Sequence, residues 1–213
     1  MDQAVANILR EYEKRSDAET ELTRDMDPKE FYRHRDELLL SVGPATGQLL
    51  NLLAKQLAAK TILEVGTSFG YSTVWLAEAA RANGGKLITL EAIAEKQEYA
   101  RSQIQKAGLS GVVDFRLGDA RDSIAKIEVP IDFILLDLWK ELYIPCFDLF
   151  YPKLSAGALV IADNMTYPEV TQPQAMDYRK HVRIKRDMQS VLIPVGSGLE
   201  LSRCIRGLET VLV

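Results

Sequence analysis

Residues 61–164 alternate between short apolar runs and amphipathic stretches, and this alternation constrains the fold more than any other feature. The apolar runs are TILEVG, KLITLE, VVDFRLGD, IDFILLD and ALVIADN, separated by segments of helical character such as YSTVWLAEAARA and AEKQEYARSQIQKAG. Strands and helices in such alternation indicate a parallel sheet with right-handed crossovers and helices on both faces. We therefore predict an α/β fold.

The segments on either side follow other patterns. Residues 1–40 are charge-rich with apolar residues at helical spacing, and Asp27 before Pro28 marks a helix start. We predict helices there, packed on the rim of the domain or on a partner subunit, and then a turn at SVGPATG. After a polar segment from residue 165, QSVLIPVGSGLELSRCI predicts an antiparallel hairpin at the sheet edge. The sheet then has seven strands, most of them parallel.

Composition limits the classes of partner. A chain of 213 residues that is 47% hydrophobic is long enough for one core. We expect a single domain over 1–213, with N-terminal helices in 1–40, a central part in 41–164, and a loop and hairpin in 165–213. Thirty acidic and 26 basic residues give a net charge of -4, which argues against nucleic acid as a partner and favours small molecules.

Cellular location follows from the cysteines and the hydropathy. Cys146 and Cys204 have neither close spacing nor the density of a disulfide framework, which fits a reducing cytoplasm. The first residues have no apolar signal core, and no stretch approaches the roughly 18 apolar residues of a membrane span. We expect a cytoplasmic protein without a membrane partner.

A glycine-containing loop follows the first predicted strand. ILEVGTSFGYST places Glu64, Gly66 and Gly70 between strand and helix, where a parallel sheet binds ligands and glycine allows close backbone approach. The spacing G-x-x-x-G differs from the G-x-G-x-x-G of dinucleotide-binding enzymes, which disfavours a nicotinamide-dependent oxidoreductase. The alternative is an ordinary strand-to-helix turn.

The next two strands also end on acids. Glu91 lies at the end of LITLE, where a carboxylate can accept hydrogen bonds from both ribose hydroxyls of an adenosine. Its alternative is a solvated residue at a strand end. Asp119 in RLGDA is placed to meet an adenine amine, or it caps the following helix.

Three oxygen-bearing side chains end the fourth and fifth strands. Asp137 closes IDFILLD, and Asp163 with Asn164 closes ALVIADN. If these strands are neighbours, about 4.8 Å apart, two carboxylates and an amide converge, so either one carboxylate is protonated or a cation lies between them. Oxygen ligands suit Mg²⁺. The alternative is that Asp163 and Asn164 form a cap and turn.

Two further side chains follow Asp137 at the same rim. Lys140 beside a divalent cation is a candidate general base, and its alternative is an exposed surface lysine. Trp139 is a candidate wall for a flat aromatic ring, or else it covers the core.

Together these segments resemble a known family. ILEVGTSFGYST, LITLE, LLDLWKELY and IADN are similar, in order, to the cation-dependent O-methyltransferases that use S-adenosylmethionine, the group of catechol O-methyltransferase and caffeoyl-CoA O-methyltransferase. The likeness runs from about residue 41 to 164 and resumes near 198–202. The DLWK form is nearer to the animal catechol enzyme than to the plant CoA-ester enzymes.

The resemblance implies a Rossmann-like methyltransferase domain that methylates a hydroxyl of a vicinal diphenol, catechol-like or caffeoyl-type, using S-adenosyl-L-methionine and Mg²⁺ or another divalent cation. It implies that Lys140 takes the phenol proton and that Trp139 contacts this phenolic substrate. It implies a metal set of Asp137, Asp163 and Asn164. The residues implied at the methyl-donor site are Val42, Glu64, Gly66, Ser68, Gly70, Ser72, Glu91, Asp119, Ala120 and Asp137.

The sequence also departs from the family pattern. SVLIPVGSGLE has no acid before Glu200, where the animal catechol enzyme has a glutamate that binds the second hydroxyl, and this weakens catechol itself as the expected acceptor. Leu138 replaces the usual alanine after the metal aspartate. The basic run YRKHVRIKR either attracts an acidic acceptor or forms a solvated helix face. The N-terminal helices suggest a homodimer, which many members of the family form. The alternative function is an S-adenosylmethionine-binding protein with a non-catechol acceptor or a non-catalytic role.

Overall fold

A computed structural model of the chain describes residues 1–207, except the side chains of Pro28 and Tyr32. The helices in that range are α1 (Gln3–Thr23), α2 (Pro28–His34), α3 (Pro44–Gln56), α4 (Tyr71–Asn83), α5 (Ala94–Lys106), α6 (Ala120–Ala125), α7 (Tyr143–Phe150) and α8 (Gln172–Arg183). The strands are β1 (Thr61–Val65), β2 (Lys86–Glu91), β3 (Val113–Leu117), β4 (Ile131–Leu136), β5 (Leu154–Ala162), β6 (Met188–Ile193) and β7 (Leu199–Cys204).

The strands form one seven-stranded sheet in the order β3-β2-β1-β4-β5-β7-β6. The first five in that order are parallel, β7 runs antiparallel to β5, and β6 runs antiparallel to β7. The predicted fold class is confirmed, including the hairpin at the sheet edge. Strands β2 and β3 lie on one side of β1, and β4 and β5 lie on the other, so the order of the strands reverses between β1 and β4. Open α/β sheets bind ligands beyond the strand ends at such a point.

The sheet is covered on both faces because successive side chains of each strand point in opposite directions. In β4, for example, Phe133 belongs to one hydrophobic cluster and Ile134 to the other, and both are fully buried. Helices α1, α3, α4 and α5 contribute to the first cluster, and α6, α7 and α8 to the second. The strands therefore lie between two helical layers.

Three details of the structure bear on the sequence-based expectations. The turn predicted at SVGPATG is wrong in its second half, because α3 begins at Pro44. Proline has a φ suited to the first helical position, so the helix starts before the apolar pattern does. Helix α1 packs on its own chain through Val5, Ile8 and Leu9, as the rim alternative predicts, and packing of this segment on a partner subunit stays a prediction. The polar segment from residue 165 contains α8.

Cys146 and Cys204 are both buried free thiols, in agreement with the absence of a disulfide framework. Among residues 1–207, no helix combines the length and the apolar character that crossing a lipid bilayer requires.

Candidate active site

The carboxyl ends of β4 and β5 place two carboxylates side by side. The strands pair in parallel with Leu136 beside Ala162, so Asp137 and Asp163 follow on neighbouring strands. The backbone N–H of Asp137 donates to the carbonyl of Val65 at 2.9 Å, and that of Asp163 donates to Leu136 at 3.1 Å. The predicted adjacency of the two strands is confirmed, and the backbone of both aspartates is fixed.

The two carboxylates lie in an environment that disfavours their charge. Burial and the negative charge of Asp137 raise the pKa of Asp163 to about 7. Burial also raises the pKa of Asp137, against the opposing effect of Lys140. The Asp163 carboxylate accepts a hydrogen bond from the N–H of Asn164 at 2.6 Å. A cation between the two carboxylates would relieve this repulsion.

The set of side chains that could bind a metal ion at these strand ends is small. Within residues 1–207, no three His, Cys, Asp or Glu side chains are grouped so that they could hold a metal ion. The predicted metal set consists of Asp137, Asp163 and the amide of Asn164, so it depends on one neutral oxygen ligand. All three would bind a metal through oxygen, and the two carboxylates carry the negative charge that a hard divalent cation prefers. The residues present therefore fit such a cation.

Lys140 is nearly buried beside these carboxylates. Its exposed fraction is 9%, so the alternative of an exposed surface lysine is wrong. Its Nζ donates to the hydroxyl of Tyr143 and, at 3.2 Å, to Oδ1 of Asn164. Burial lowers the pKa of Lys140, while the carboxylates of Asp137 and Asp163 raise it. Lowering the pKa makes an amine more available as a base near neutral pH.

Tyr143 is a site residue that the sequence reasoning missed. It is fully buried, and its hydroxyl donates to the carbonyl of Asp163 at 3.2 Å. Burial raises the pKa of Tyr143 well above its ordinary value, and the charges of Asp137 and Asp163 act in the same direction. The available signal was its position three residues after Lys140, within a single turn.

Trp139 lies at the rim rather than in the core. It keeps 44% of its surface exposed, so the alternative that it covers the core is wrong. The guanidinium of Arg35 lies 4.2 Å from the centroid of the Trp139 ring, a cation–π distance. The segment after α2 therefore reaches this rim, a contact that no sequence pattern indicates.

The glycine loop after β1 packs directly on the end of β4. A Cβ atom on Gly66 would lie 1.9 Å from the carbonyl oxygen of Asp137, and its φ of +108° favours glycine. Gly70 has a φ of +96°, and a Cβ there would lie 2.7 Å from Cβ of Ala100. Ser68 between them has a φ of +47°. The loop is thus more constrained than an ordinary strand-to-helix turn.

Glu64 connects three elements around this loop. It is fully buried in β1 and accepts hydrogen bonds from the hydroxyls of Ser72 and Thr73, each at 2.6 Å, and of Thr89 at 2.5 Å. Burial nevertheless raises its pKa to about 7, which these hydrogen bonds oppose. Glu64 therefore supports the start of α4, and Ser72 uses its hydroxyl for that purpose.

Glu91 is not a freely solvated strand end. One of its carboxylate oxygens accepts the N–H of Ser68 at 2.7 Å, and the other accepts those of Ala92 at 2.9 Å and Ile93 at 3.0 Å. The carboxylate at the end of β2 therefore fixes the loop at the end of β1.

Asp119 acts as a helix cap. Its side chain accepts the N–H of Arg121 at 2.8 Å and forms an ion pair with the Arg121 guanidinium, and Ala120 begins α6. These interactions hold the pKa of Asp119 down at about 2. The capping alternative is confirmed. Val42 lies just before α3 and packs against the first hydrophobic cluster.

Helix α1 covers the outer side of the glycine loop. The Tyr12 hydroxyl donates to the carbonyl of Phe69 at 2.5 Å, and the Arg15 guanidinium lies 4.2 Å from the Phe69 ring centroid. Lys96 is nearly buried and forms an ion pair with Asp36 at 3.6 Å. Sequence reasoning missed these contacts because their partners are far apart along the chain.

The basic run in α8 is partly used within the fold. Arg179 and Arg183 donate to the fully buried carboxylate of Glu200, at 3.2 and 2.7 Å, and His181 contacts Asp148 at 2.7 Å. A simple solvated helix face is therefore wrong for the two arginines, whose side chains anchor α8 to β7.

Comparison with protein families gives one assignment for most of the chain. A family model described as O-methyltransferase matches residues 13–205. Among solved structures, the O-methyltransferase TomG from Streptomyces achromogenes, involved in tomaymycin synthesis and in complex with SAM, has a TM-score of 0.75 at 25% identity, with 96% of this chain and 90% of that chain covered. An O-methyltransferase from Bacillus cereus in complex with SAH has a TM-score of 0.72 at 26% identity, with 96% and 91% covered.

Sequence relatives carry names of the same kind. A catechol O-methyltransferase of Niastella koreensis is 39% identical over 130 residues, which is 59% of this chain and 58% of that protein. Catechol O-methyltransferase B of Danio rerio is 34% identical over 84% of this chain and 67% of its own length. A caffeoyl-CoA O-methyltransferase of Petroselinum crispum is 30% identical over 78% of each chain. The aligned part is thus less than two thirds of the Niastella protein.

Proposed function

We propose a specific reaction for this chain, which belongs to the S-adenosylmethionine-dependent O-methyltransferase family. In this reaction, it methylates one hydroxyl of a vicinal diphenol with the help of a divalent cation. The reaction breaks the bond between sulfur and the methyl carbon, forms a bond between the hydroxyl oxygen and that carbon, and transfers the hydroxyl proton to a base.

The observation that carries this proposal is the meeting of Lys140, Asp137, Asp163 and Asn164 at the ends of β4 and β5. A methyl donor alone gives no reason for a buried pair of carboxylates, whereas such a pair suits a divalent cation that also binds two adjacent hydroxyl oxygens. We assign Asp137, Asp163 and Asn164 as its ligands. The cation supplies positive charge that favours the ionised form of the acceptor hydroxyl.

Lys140 is assigned the role of proton acceptor. It lies beside the proposed cation ligand Asn164, and burial lowers its pKa, so it is suited to take a proton from a hydroxyl held at that place. Trp139, at the rim, is assigned to one side of the acceptor ring. Much of the acceleration should come from alignment of the reacting oxygen, carbon and sulfur atoms.

The methyl donor is assigned to the crevice beyond β1, β2 and β3. The glycine loop brings backbone close to that crevice, and Glu91, already bonded to Ser68 of the loop, faces the same end of the sheet. The residues assigned to the donor site are Val42, Glu64, Gly66, Ser68, Gly70, Ser72, Glu91, Asp119, Ala120 and Asp137. Glu64 and Ser72 are bonded to each other and Asp119 caps α6, so we assign these three mainly to shaping the site. Glu91 also accepts backbone N–H groups, but it ends β2 beside the loop, and we assign it to contact the donor.

Methyl transfer from labelled S-adenosylmethionine to a vicinal diphenol tests the acceptor class. The matched control is a monophenol with the same side chain, which offers one oxygen to the proposed site. We expect product from the diphenol and little from the monophenol. Equal rates with both acceptors would contradict cation-assisted binding of two oxygens, and retained S-adenosylhomocysteine binding without any product would favour the non-catalytic alternative.

The remaining expectations belong to the same proposal. We propose a single domain over 1–213, of which residues 208–213 lie outside the described range, a homodimer, and a cytoplasmic location. Sedimentation equilibrium of the purified chain would measure its oligomeric state, and a monomer at micromolar concentration would contradict the homodimer.

A further inference from the structure

Tyr143 occupies a special position between the proposed base and the cation site. Residues Lys140–Leu142 form a 3₁₀ turn that leads into α7 at Tyr143. Side chains three residues apart eclipse each other in such a turn, so Lys140 and Tyr143 lie on the same side of it. The turn therefore brings the amine to the phenol without any contribution from distant parts of the chain.

The Tyr143 hydroxyl lies between an acceptor, the carbonyl oxygen of Asp163, and a donor, Nζ of Lys140. The Tyr143 hydroxyl donates its single hydrogen to the carbonyl oxygen of Asp163 at 3.2 Å. Its oxygen is then left with lone pairs alone, and one of these accepts a hydrogen bond from Nζ of Lys140. The carbonyl of Asp163 is itself fixed at the end of β5, so the phenol has one stable orientation.

The orientation of the Lys140 amine follows from its two acceptors. Nζ donates to Tyr143 and to Oδ1 of Asn164. Whatever its protonation state, the nitrogen has three positions besides its bond to Cε. With two of them directed at these acceptors, rotation about the bond between Cε and Nζ is restricted, and the third position is held in the remaining direction.

The surroundings keep Tyr143 itself in place. The ring of Tyr178 in α8 contacts it edge to face, with centroids 5.4 Å apart, and both rings are fully buried. The Tyr178 hydroxyl, in contrast, is buried with no hydrogen-bond partner among the residues that the structure describes. The two tyrosines therefore share packing but differ in the use of their hydroxyls.

We propose that Tyr143 is a positioning residue, whose hydroxyl holds the Lys140 amine in the orientation that accepts the proton of the acceptor hydroxyl. This inference rests on the proposed function, because it assumes that Lys140 is the base. Replacement by phenylalanine keeps the ring and removes the hydroxyl, so one of the two acceptors of the amine is lost. Since orientation contributes strongly to such steps, we expect kcat to fall by about 10-fold.

A double-mutant cycle tests the inference. We would measure kcat and KM of the full chain with Mg²⁺, S-adenosylmethionine and a vicinal diphenol, for the parent, Tyr143→Phe, Lys140→Ala and the double variant. Lys140→Ala should lower kcat by about 100-fold or more. Tyr143→Phe should lower kcat without changing KM for the donor, and should have no further effect in the Lys140→Ala background. Tyr178→Phe is the matched control and should keep the parent kcat.

Each contrary outcome has a distinct meaning. A parent-like kcat in Tyr143→Phe, or an equal loss in both backgrounds, would overturn the positioning role. Weaker binding of S-adenosylhomocysteine by Tyr143→Phe but not by Tyr178→Phe would assign the hydroxyl to the fold and also overturn it. A parent-like kcat in Lys140→Ala would overturn the proposed base and this inference with it.

Discussion

Glu64 offers a test of how the buried polar network around the glycine loop affects stability. Replacing it with glutamine keeps the shape of the side chain and mimics the protonated carboxyl group. Burial raises the pKa of Glu64 from 4.5 to about 7, even though three hydroxyls donate to the carboxylate. The folded protein therefore binds a proton at Glu64 that the unfolded chain has released in this pH range.

The sign and size of the effect follow from this difference. A raised pKa in the folded state contributes stability that is fully present below pH 4.5 and is lost as the pH rises towards 7. Because one pKa unit corresponds to about 1.4 kcal/mol, the loss amounts to about 3 kcal/mol. The free energy of unfolding of Glu64→Gln should thus match that of the parent near pH 4.5 and exceed it by about 3 kcal/mol at pH 8.

Urea unfolding at several pH values, with EDTA present, would measure this difference. The control is Glu128→Gln, which changes an exposed glutamate and should follow the parent at every pH. A constant difference between Glu64→Gln and the parent across the range would refute the reasoning. So would a variant that is less stable than the parent at pH 8, because the hydroxyl hydrogen bonds would then outweigh burial.

Two further predictions concern packing and a buried charge. Gly66→Ala should destabilise the protein by roughly 3 kcal/mol in thermal unfolding, since a Cβ would collide with the Asp137 carbonyl. Gly111→Ala is the control: apart from its chain neighbours, no atom among residues 1–207 lies within 4 Å of the added Cβ, so it should stay within about 1 kcal/mol of the parent. Arg183→Ala should lower the free energy of unfolding by about 1 to 3 kcal/mol, because the buried Glu200 carboxylate loses two hydrogen bonds from a positive charge. Arg183→Lys should recover part of this loss, and an equal loss in both variants would contradict a role for the charge.

The positions of the proposed cation ligands could be predicted from sequence because they depend on local pattern. Asp137 and Asp163 each follow an apolar run, and the alternation of strands and helices makes those runs parallel neighbours. The same pattern predicts that Glu91 lies at a strand end and that the glycines lie in the loop after β1. What the pattern determines is where each strand ends.

The contacts between side chains could not be predicted in this way. Tyr12 reaches the carbonyl of Phe69, 57 positions along the chain, and Arg35 covers Trp139. Such contacts depend on how helices and loops pack in three dimensions. Asp119 shows the limit at short range, since the same residue type at a helix start serves equally as a cap or as a ligand, and here it is bonded to Arg121.

The central claim is that a divalent cation at Asp137, Asp163 and Asn164 assists methyl transfer. It is tested most directly by the rate of methyl transfer from S-adenosylmethionine to a vicinal diphenol, measured while Mg²⁺ is added to EDTA-treated parent and Asp163→Ala protein. We predict a saturable rise in the parent rate and no such rise in Asp163→Ala. A parent rate that is the same with EDTA and with saturating Mg²⁺ would contradict the claim.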